Sequence, residues 1–127
     1  MRNMILGFIA SLAMALVLVG CGGPKVASGG PPTLAMDMTN FTGATTVTIK
    51  AGASVTFTDS ASGSTHLLVT GTQGQTAAEA GAPTELTSAS GFEIDKGTSV
   101  SITFPTAGTY HITCTVHPAM NATVIVQ

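Results

Sequence analysis

The sequence contains no tryptophan and very little charge, since Asp, Glu, Lys and Arg together make up 8% of its 127 residues. After Cys21 only three lysines stand against six carboxylates, so the chain lacks the basic surface by which proteins bind nucleic acids. Its length fits one domain with a modest core. Threonine, serine, glycine and valine are abundant instead, and β-branched residues are typical of strands. The composition therefore predicts an all-β domain that does not bind nucleic acid.

Long apolar runs are scarce as well, and the clear one stands at the start of the chain. Arg2 precedes an apolar run from Ile5 to Val19, which has signal-peptide length and is shorter than the ~20 residues of a membrane helix. The segment Leu18-Val19-Gly20-Cys21 resembles the bacterial lipobox, which implies cleavage before Cys21 and lipid on its thiol. We expect a signal peptide over residues 1–20 and an extracytoplasmic protein that is lipid-anchored on the periplasmic or cell-surface face of a membrane. An uncleaved anchor or an ordinary signal peptide is the alternative.

After the lipobox-like segment, the composition indicates a linker followed by a domain. Residues 21–32 are rich in glycine and proline and poor in apolar side chains, which predicts a flexible tether. Residues 33–127 contain short alternating segments between turn signals, most regular at Thr98 to Phe104. About eight such strands predict an antiparallel β-sandwich or barrel.

Two segments of this domain need separate predictions. Thr33 to Met38 is expected to form an edge strand. Thr72 to Ser90 has no alternation, and one helical turn is expected at Thr76 to Ala80, which Pro83 prevents from extending. We assign no chemistry to this second segment.

The two cysteines are not expected to form a disulfide. An exported protein with two cysteines would normally form one, but acylation of Cys21 leaves Cys114 without a partner. A free thiol in an oxidising compartment is open to oxidation. A bound metal ion would protect Cys114.

A metal site is also indicated by the residues that follow Cys114. Cys114, His117 and Met120 lie at positions i, i+3 and i+6, where an alternating strand runs into a proline-containing turn. These soft or borderline donors favour copper, and one Cys, two His and a distant Met form the blue-copper arrangement. His66 is the candidate for the second imidazole. His111 falls on the opposite face of its strand from Cys114 and is expected to be no ligand.

Two motifs in this region resemble a known family. The turn Phe104-Pro-Thr-Ala-Gly-Thr-Tyr110 and the loop Cys114-Thr-Val-His117-Pro-Ala-Met120 are similar to those of the cupredoxins, the plastocyanin, pseudoazurin and amicyanin group of blue copper proteins. The similarity extends over about residues 45–127. It implies a cupredoxin-like Greek-key β-sandwich that binds one copper ion in a type 1 site.

The resemblance also implies roles for single residues. His66, Cys114 and His117 would be the strong copper ligands and Met120 the weak axial one. The protein would be a monomer and no enzyme, carrying single electrons between extracytoplasmic protein partners that contact it transiently near His117.

This sequence departs from the family at two positions beside the ligands. Leu67 follows His66 where many cupredoxins have an asparagine that links the ligand loops, a role that Thr65 or Thr115 would have to fill. Val116 replaces a proline, and its amide N–H is expected to donate a hydrogen bond to the thiolate.

Several alternatives stay open at this stage. A lipoprotein that stores or delivers copper is the main alternative, and an adhesive sandwich domain without metal is another. Each ligand also has a structural explanation: Cys114 as a small buried hydrophobe, Met120 as core filling, and His66 as a surface turn residue. A hydrolase is not indicated, because no Ser, His and carboxylate grouping is evident.

Overall fold

The computed structural model describes residues 29–127, so the predicted signal peptide, Cys21 and most of the predicted tether lie outside the described residues. Between these bounds the chain forms ten β-strands and one short 3-10 helix, Thr84–Leu86. Within residues 29–127 no helix is long and apolar enough to cross a membrane. The strands, in chain order, are β1 (Thr33–Met36), β2 (Phe41–Thr42), β3 (Thr46–Ile49), β4 (Ser54–Asp59), β5 (His66–Thr72), β6 (Gln75–Thr76), β7 (Phe92–Ile94), β8 (Ser99–Thr103), β9 (Gly108–Cys114) and β10 (Asn121–Val126).

The strands form two sheets that enclose one core. The first sheet has the order β2-β1-β4-β8, and the second has the order β3-β10-β9-β5-β6, with β7 also paired to β5. The predicted all-β sandwich is therefore confirmed. Within residues 29–127 six of the eight strand pairs are antiparallel, as expected, whereas β1 pairs with β4 and β3 pairs with β10 in parallel. Parallel neighbours require connections that leave the pair and return, instead of hairpins.

The first strand, β1, was predicted to be an edge strand, but it lies between β2 and β4. Its outer side is covered by the two-residue strand β2, through the pairs Ala35 with Thr42 and Met36 with Phe41. Strands of two residues, such as β2 and β6, are too short to show an alternating pattern. Their pairing is visible only in the folded chain.

Alternating apolar side chains of both sheets fill the core. Val55 and Phe57 of β4 and Tyr110 and Ile112 of β9 are at most 1% exposed. Each such side chain contributes about 1.5–3 kcal/mol when it is buried. The Tyr110 hydroxyl donates a hydrogen bond of 2.8 Å to the carbonyl of Thr106, so the turn before β9 is attached to the core.

The segment without alternation, residues 72–90, is held by contacts with strands of the second sheet. The Thr70 hydroxyl donates to the carbonyl of Ala77 at 2.8 Å. The Glu79 carboxylate accepts from the backbone amide of His111 and contacts its Nδ1, both at 2.8 Å. The helical turn expected at residues 76–80 is absent, and the 3-10 helix begins after Pro83 instead. Groups that would pair locally in a helix are here bound to β5 and β9.

Candidate metal site

The strand register brings His66 and Cys114 together. His66 begins β5 and Cys114 ends the neighbouring strand β9, with Leu68 directly opposite Cys114. Side chains two positions apart in a strand lie on the same face, so His66 points to the same side of the sheet as Leu68 and Cys114. Both His66 and Cys114 are completely buried. His117 lies on the loop between β9 and β10 and is half-buried.

Three donor atoms meet at this end of the sandwich. The Cys114 sulfur lies 3.9 Å from Nδ1 of His66 and 3.7 Å from Nδ1 of His117, and the two nitrogens are 3.3 Å apart. A triangle with these sides has its centre about 2.1 Å from each corner, which is within the range of metal–nitrogen and metal–sulfur bonds in proteins. The three residues can therefore hold one metal ion between them.

The His66 ring is oriented by a backbone carbonyl. Its Nε2–H donates to the oxygen of Asp37 at 2.8 Å, which leaves the lone pair of Nδ1 directed at the sulfur and at His117. The Asp37 turn is itself ordered, because its carboxylate accepts from the amides of Thr39 and Asn40 at 3.1 and 3.0 Å. These two bonds hold the pKa of the Asp37 carboxyl below its usual range. The sequence contains no local signal for this contact.

The loop that carries His117 is closed by hydrogen bonds to Met120. The Met120 amide donates to the carbonyl of His117 at 2.9 Å, and the Met120 carbonyl accepts from the Cys114 amide at 3.3 Å. Met120 is completely buried. The Asn121 side chain donates to the carbonyl of Pro118 at 3.0 Å. The four candidate ligands are thus gathered at one end of the sandwich, three through their donor atoms and Met120 through its place in the loop.

Thr113 is a supporting residue that no sequence pattern predicted. Its buried hydroxyl donates to the Met120 carbonyl at 3.0 Å and accepts from the Gly74 amide at 2.8 Å. The turn between β5 and β6 is thereby attached to the loop. No spacing rule marks this threonine, because both partners come from contacts made in the folded chain.

The two departures from the family have different outcomes. The Thr115 amide donates to the carbonyl of Leu67 at 3.0 Å, so the two ligand segments are joined by a backbone bond from one of the two threonines named for that role. Thr65 bonds to Asp95 instead. The expected bond from Val116 to the Cys114 sulfur is absent in residues 29–127. The amide of Val116 is therefore no support for the thiolate here.

His111 lies outside the site, as predicted. Its side chain is 47% exposed and contacts Glu79. Alternation along β9 places it on the outer face, opposite Tyr110 and Cys114.

Comparisons with known proteins agree with this fold and with a copper-binding site. A family model for copper binding proteins of the plastocyanin/azurin family matches residues 35–127. Amicyanin from Paracoccus versutus has 24% sequence identity and a TM-score of 0.54, over 76% of this chain and 81% of that one. An oxidised methionine-to-leucine variant of amicyanin has 23% identity and a TM-score of 0.56, over 81% of this chain and 87% of that one. None of the curated proteins matches the chain.

Proposed function

Since the chain belongs to the plastocyanin/azurin family of copper-binding proteins, we propose that it is a mononuclear blue copper protein that carries single electrons. The observation that carries the proposal is the convergence of one sulfur and two imidazole nitrogens within 3.9 Å of one another. One Cys and two His around a shared centre form the strong part of a blue-copper site.

In this proposal His66 and His117 would bind copper through Nδ1, Cys114 would bind as thiolate, and Met120 would be a weaker fourth ligand. Bound copper supplies a one-electron couple between Cu(I) and Cu(II). The side chains of His66, Cys114 and Met120 are inaccessible to solvent, so they keep water from the inner side of the site.

The positions of these side chains suit electron transfer because they are constrained from several directions. His66 and Cys114 sit on paired strands, and the loop is closed by the Thr113 and Met120 hydrogen bonds. Donors held in this way move little when the charge at the site changes. The fold thereby keeps the structural reorganisation on electron transfer small.

Electrons would enter and leave beside His117. This ring is half-buried, and its loop neighbours Val116, Pro118 and Ala119 are exposed, with Val116 at 53%. These side chains are apolar, and small interfaces are typical of redox proteins that bind only briefly. We propose transient protein partners at this surface and a monomeric protein between encounters.

Copper loading of residues 29–127, followed by optical and EPR spectroscopy, tests the function. We expect one copper per chain and an intense visible band in the oxidised form, because a thiolate bound to Cu(II) absorbs strongly. The band should disappear on reduction and return on oxidation. A protein that binds copper yet stays colourless after mild oxidation would instead favour copper storage or delivery. Failure to retain copper would exclude both functions.

We further propose that the protein is attached to the outer side of a membrane through lipid on Cys21. The support is the segment Leu18-Val19-Gly20-Cys21 behind an apolar run of signal-peptide length. In a bacterial host, the full chain is expected in the membrane fraction, and Cys21→Ala is expected to lose lipid without losing export. Mass spectrometry of the mature N-terminal peptide checks this, and an unmodified Cys21 in the wild-type protein would rule the anchor out.

A further inference from the structure

A buried carboxylate lies behind His66, on the side of the ring away from the donor atoms. Asp59 ends β4, points into the core and is 3% exposed. Neither of its oxygens has a hydrogen-bond partner in the described part of the chain. Its Oδ1 lies 3.6 Å from Nε2 of His66. Gly63 covers it so closely that a Cβ at that position would overlap the carboxylate.

The contact between Asp59 and His66 is not a hydrogen bond. The Nε2–H of His66 already donates to the carbonyl of Asp37 at 2.8 Å, and the 3.6 Å to Asp59 exceeds hydrogen-bond distance. A buried charge without a partner is costly unless a charge of opposite sign lies near it. A place for such a charge lies on the other side of the His66 ring, where Nδ1 faces Cys114 and His117.

We propose that Asp59 sets the reduction potential of the copper site by favouring Cu(II) over Cu(I). This inference rests on the proposed function. The Cys114 thiolate and the Asp59 carboxylate together carry two negative charges, which balance Cu(II). Reduction adds one electron from a partner or an electrode, makes or breaks no bond to Asp59, and leaves one buried negative charge uncompensated. The carboxylate thereby opposes reduction and lowers the potential.

The test compares Asp59→Asn with Asp95→Asn by voltammetry of the copper-loaded protein. Asparagine keeps the shape of the side chain and removes its charge. Asp95 is an exposed carboxylate that accepts a hydrogen bond from Thr65, next to His66, so its charge is screened by water. At a fixed applied potential, we expect Asp59→Asn to raise the Cu(I)/Cu(II) ratio about tenfold, a shift of about 59 mV to higher potential. Asp95→Asn should shift the potential by less than a third of that amount.

A second measurement does not depend on the reduction potential. Thermal unfolding of the metal-free and Cu(II)-bound forms gives the stabilisation by Cu(II), which should be smaller in Asp59→Asn than in the wild type. Asp59→Leu, which is also uncharged and of similar size, repeats the comparison if the asparagine variant does not fold.

The results separate this inference from the proposed function. A blue wild-type protein whose potential and Cu(II) stabilisation are unchanged by Asp59→Asn would overturn the role of Asp59 and leave electron transfer intact. Equal shifts in Asp59→Asn and Asp95→Asn would overturn it as well, because any nearby charge would then act alike. A wild-type protein without the visible band would remove the proposed function itself.

Discussion

Cys114→Ser is expected to abolish the visible band of the copper-loaded protein and to weaken copper binding by at least about a hundredfold. The thiolate is the soft donor that suits copper, and the metal readily displaces its proton. A serine hydroxyl is a hard donor that stays protonated at neutral pH. The remaining imidazoles of His66 and His117 would hold copper as an ordinary, weakly coloured complex. Optical titration with copper, together with EPR of the oxidised form, measures both effects.

A folding control belongs with this variant because Cys114 is completely buried. Its replacement puts a hydroxyl without an assured partner into the core, at a cost of about 1–3 kcal/mol. Circular dichroism of the metal-free protein will show whether the sandwich persists. His111→Gln is the matched control, since His111 is exposed on the same strand, and this variant should keep the full band. An unchanged band in folded Cys114→Ser would contradict the ligand assignment.

Gly71→Ala is expected to destabilise the domain by about 3 kcal/mol or more, although position 71 is distant in sequence from the ligand loop. Gly71 has φ +142, and a Cβ there would overlap the backbone carbonyl of Gln75 and lie 2.9 Å from the amide of Ala77. Backbone atoms cannot move out of the overlap as the end of a flexible side chain can. The turn between β5 and β6 must therefore shift, and with it the Gly74 bond to Thr113 beneath the ligand loop.

The matched control for this variant is Gly52→Ala. Gly52 also has a positive φ, +84, but no atom lies within 4 Å of a Cβ built there. Its substitution should therefore cost only the backbone strain, about 1–2 kcal/mol. Urea unfolding of the metal-free variants gives both free energies. If the two alanines cost the same, steric overlap at position 71 is not the cause.

The sequence alone predicted the all-β class and named Cys114, His117 and Met120 as candidate ligands, and the structure brings the donor atoms of Cys114 and His117 together. Cys114, His117 and Met120 are close in the chain, so their spacing survives any folding of the rest. Alternation along β9 also predicted that His111 would face away from Cys114, and the structure confirms this. His66 was named because a blue-copper donor set needs a second imidazole, and the register of β5 against β9 accounts for its place.

Other features depended on contacts between distant parts of the chain. Nothing near Asp59 in the sequence distinguishes it from an exposed acid at the end of a strand, yet in the fold it is buried against His66. Thr113 and Glu79 are likewise ordinary polar residues until the segment after β5 folds back over them. The helical turn predicted at residues 76–80 is absent for the same reason, because hydrogen bonds to neighbouring strands replace the local bonds of a helix.

The donor types and their spacing could thus be predicted from residues close together in the sequence, whereas the surroundings of the donors depended on folding. Local spacing sets which side chains share a loop or a strand face. Burial, charge and hydrogen bonding around them arise only when strands distant in the chain pair and exclude water, and no short pattern records which residues those will be.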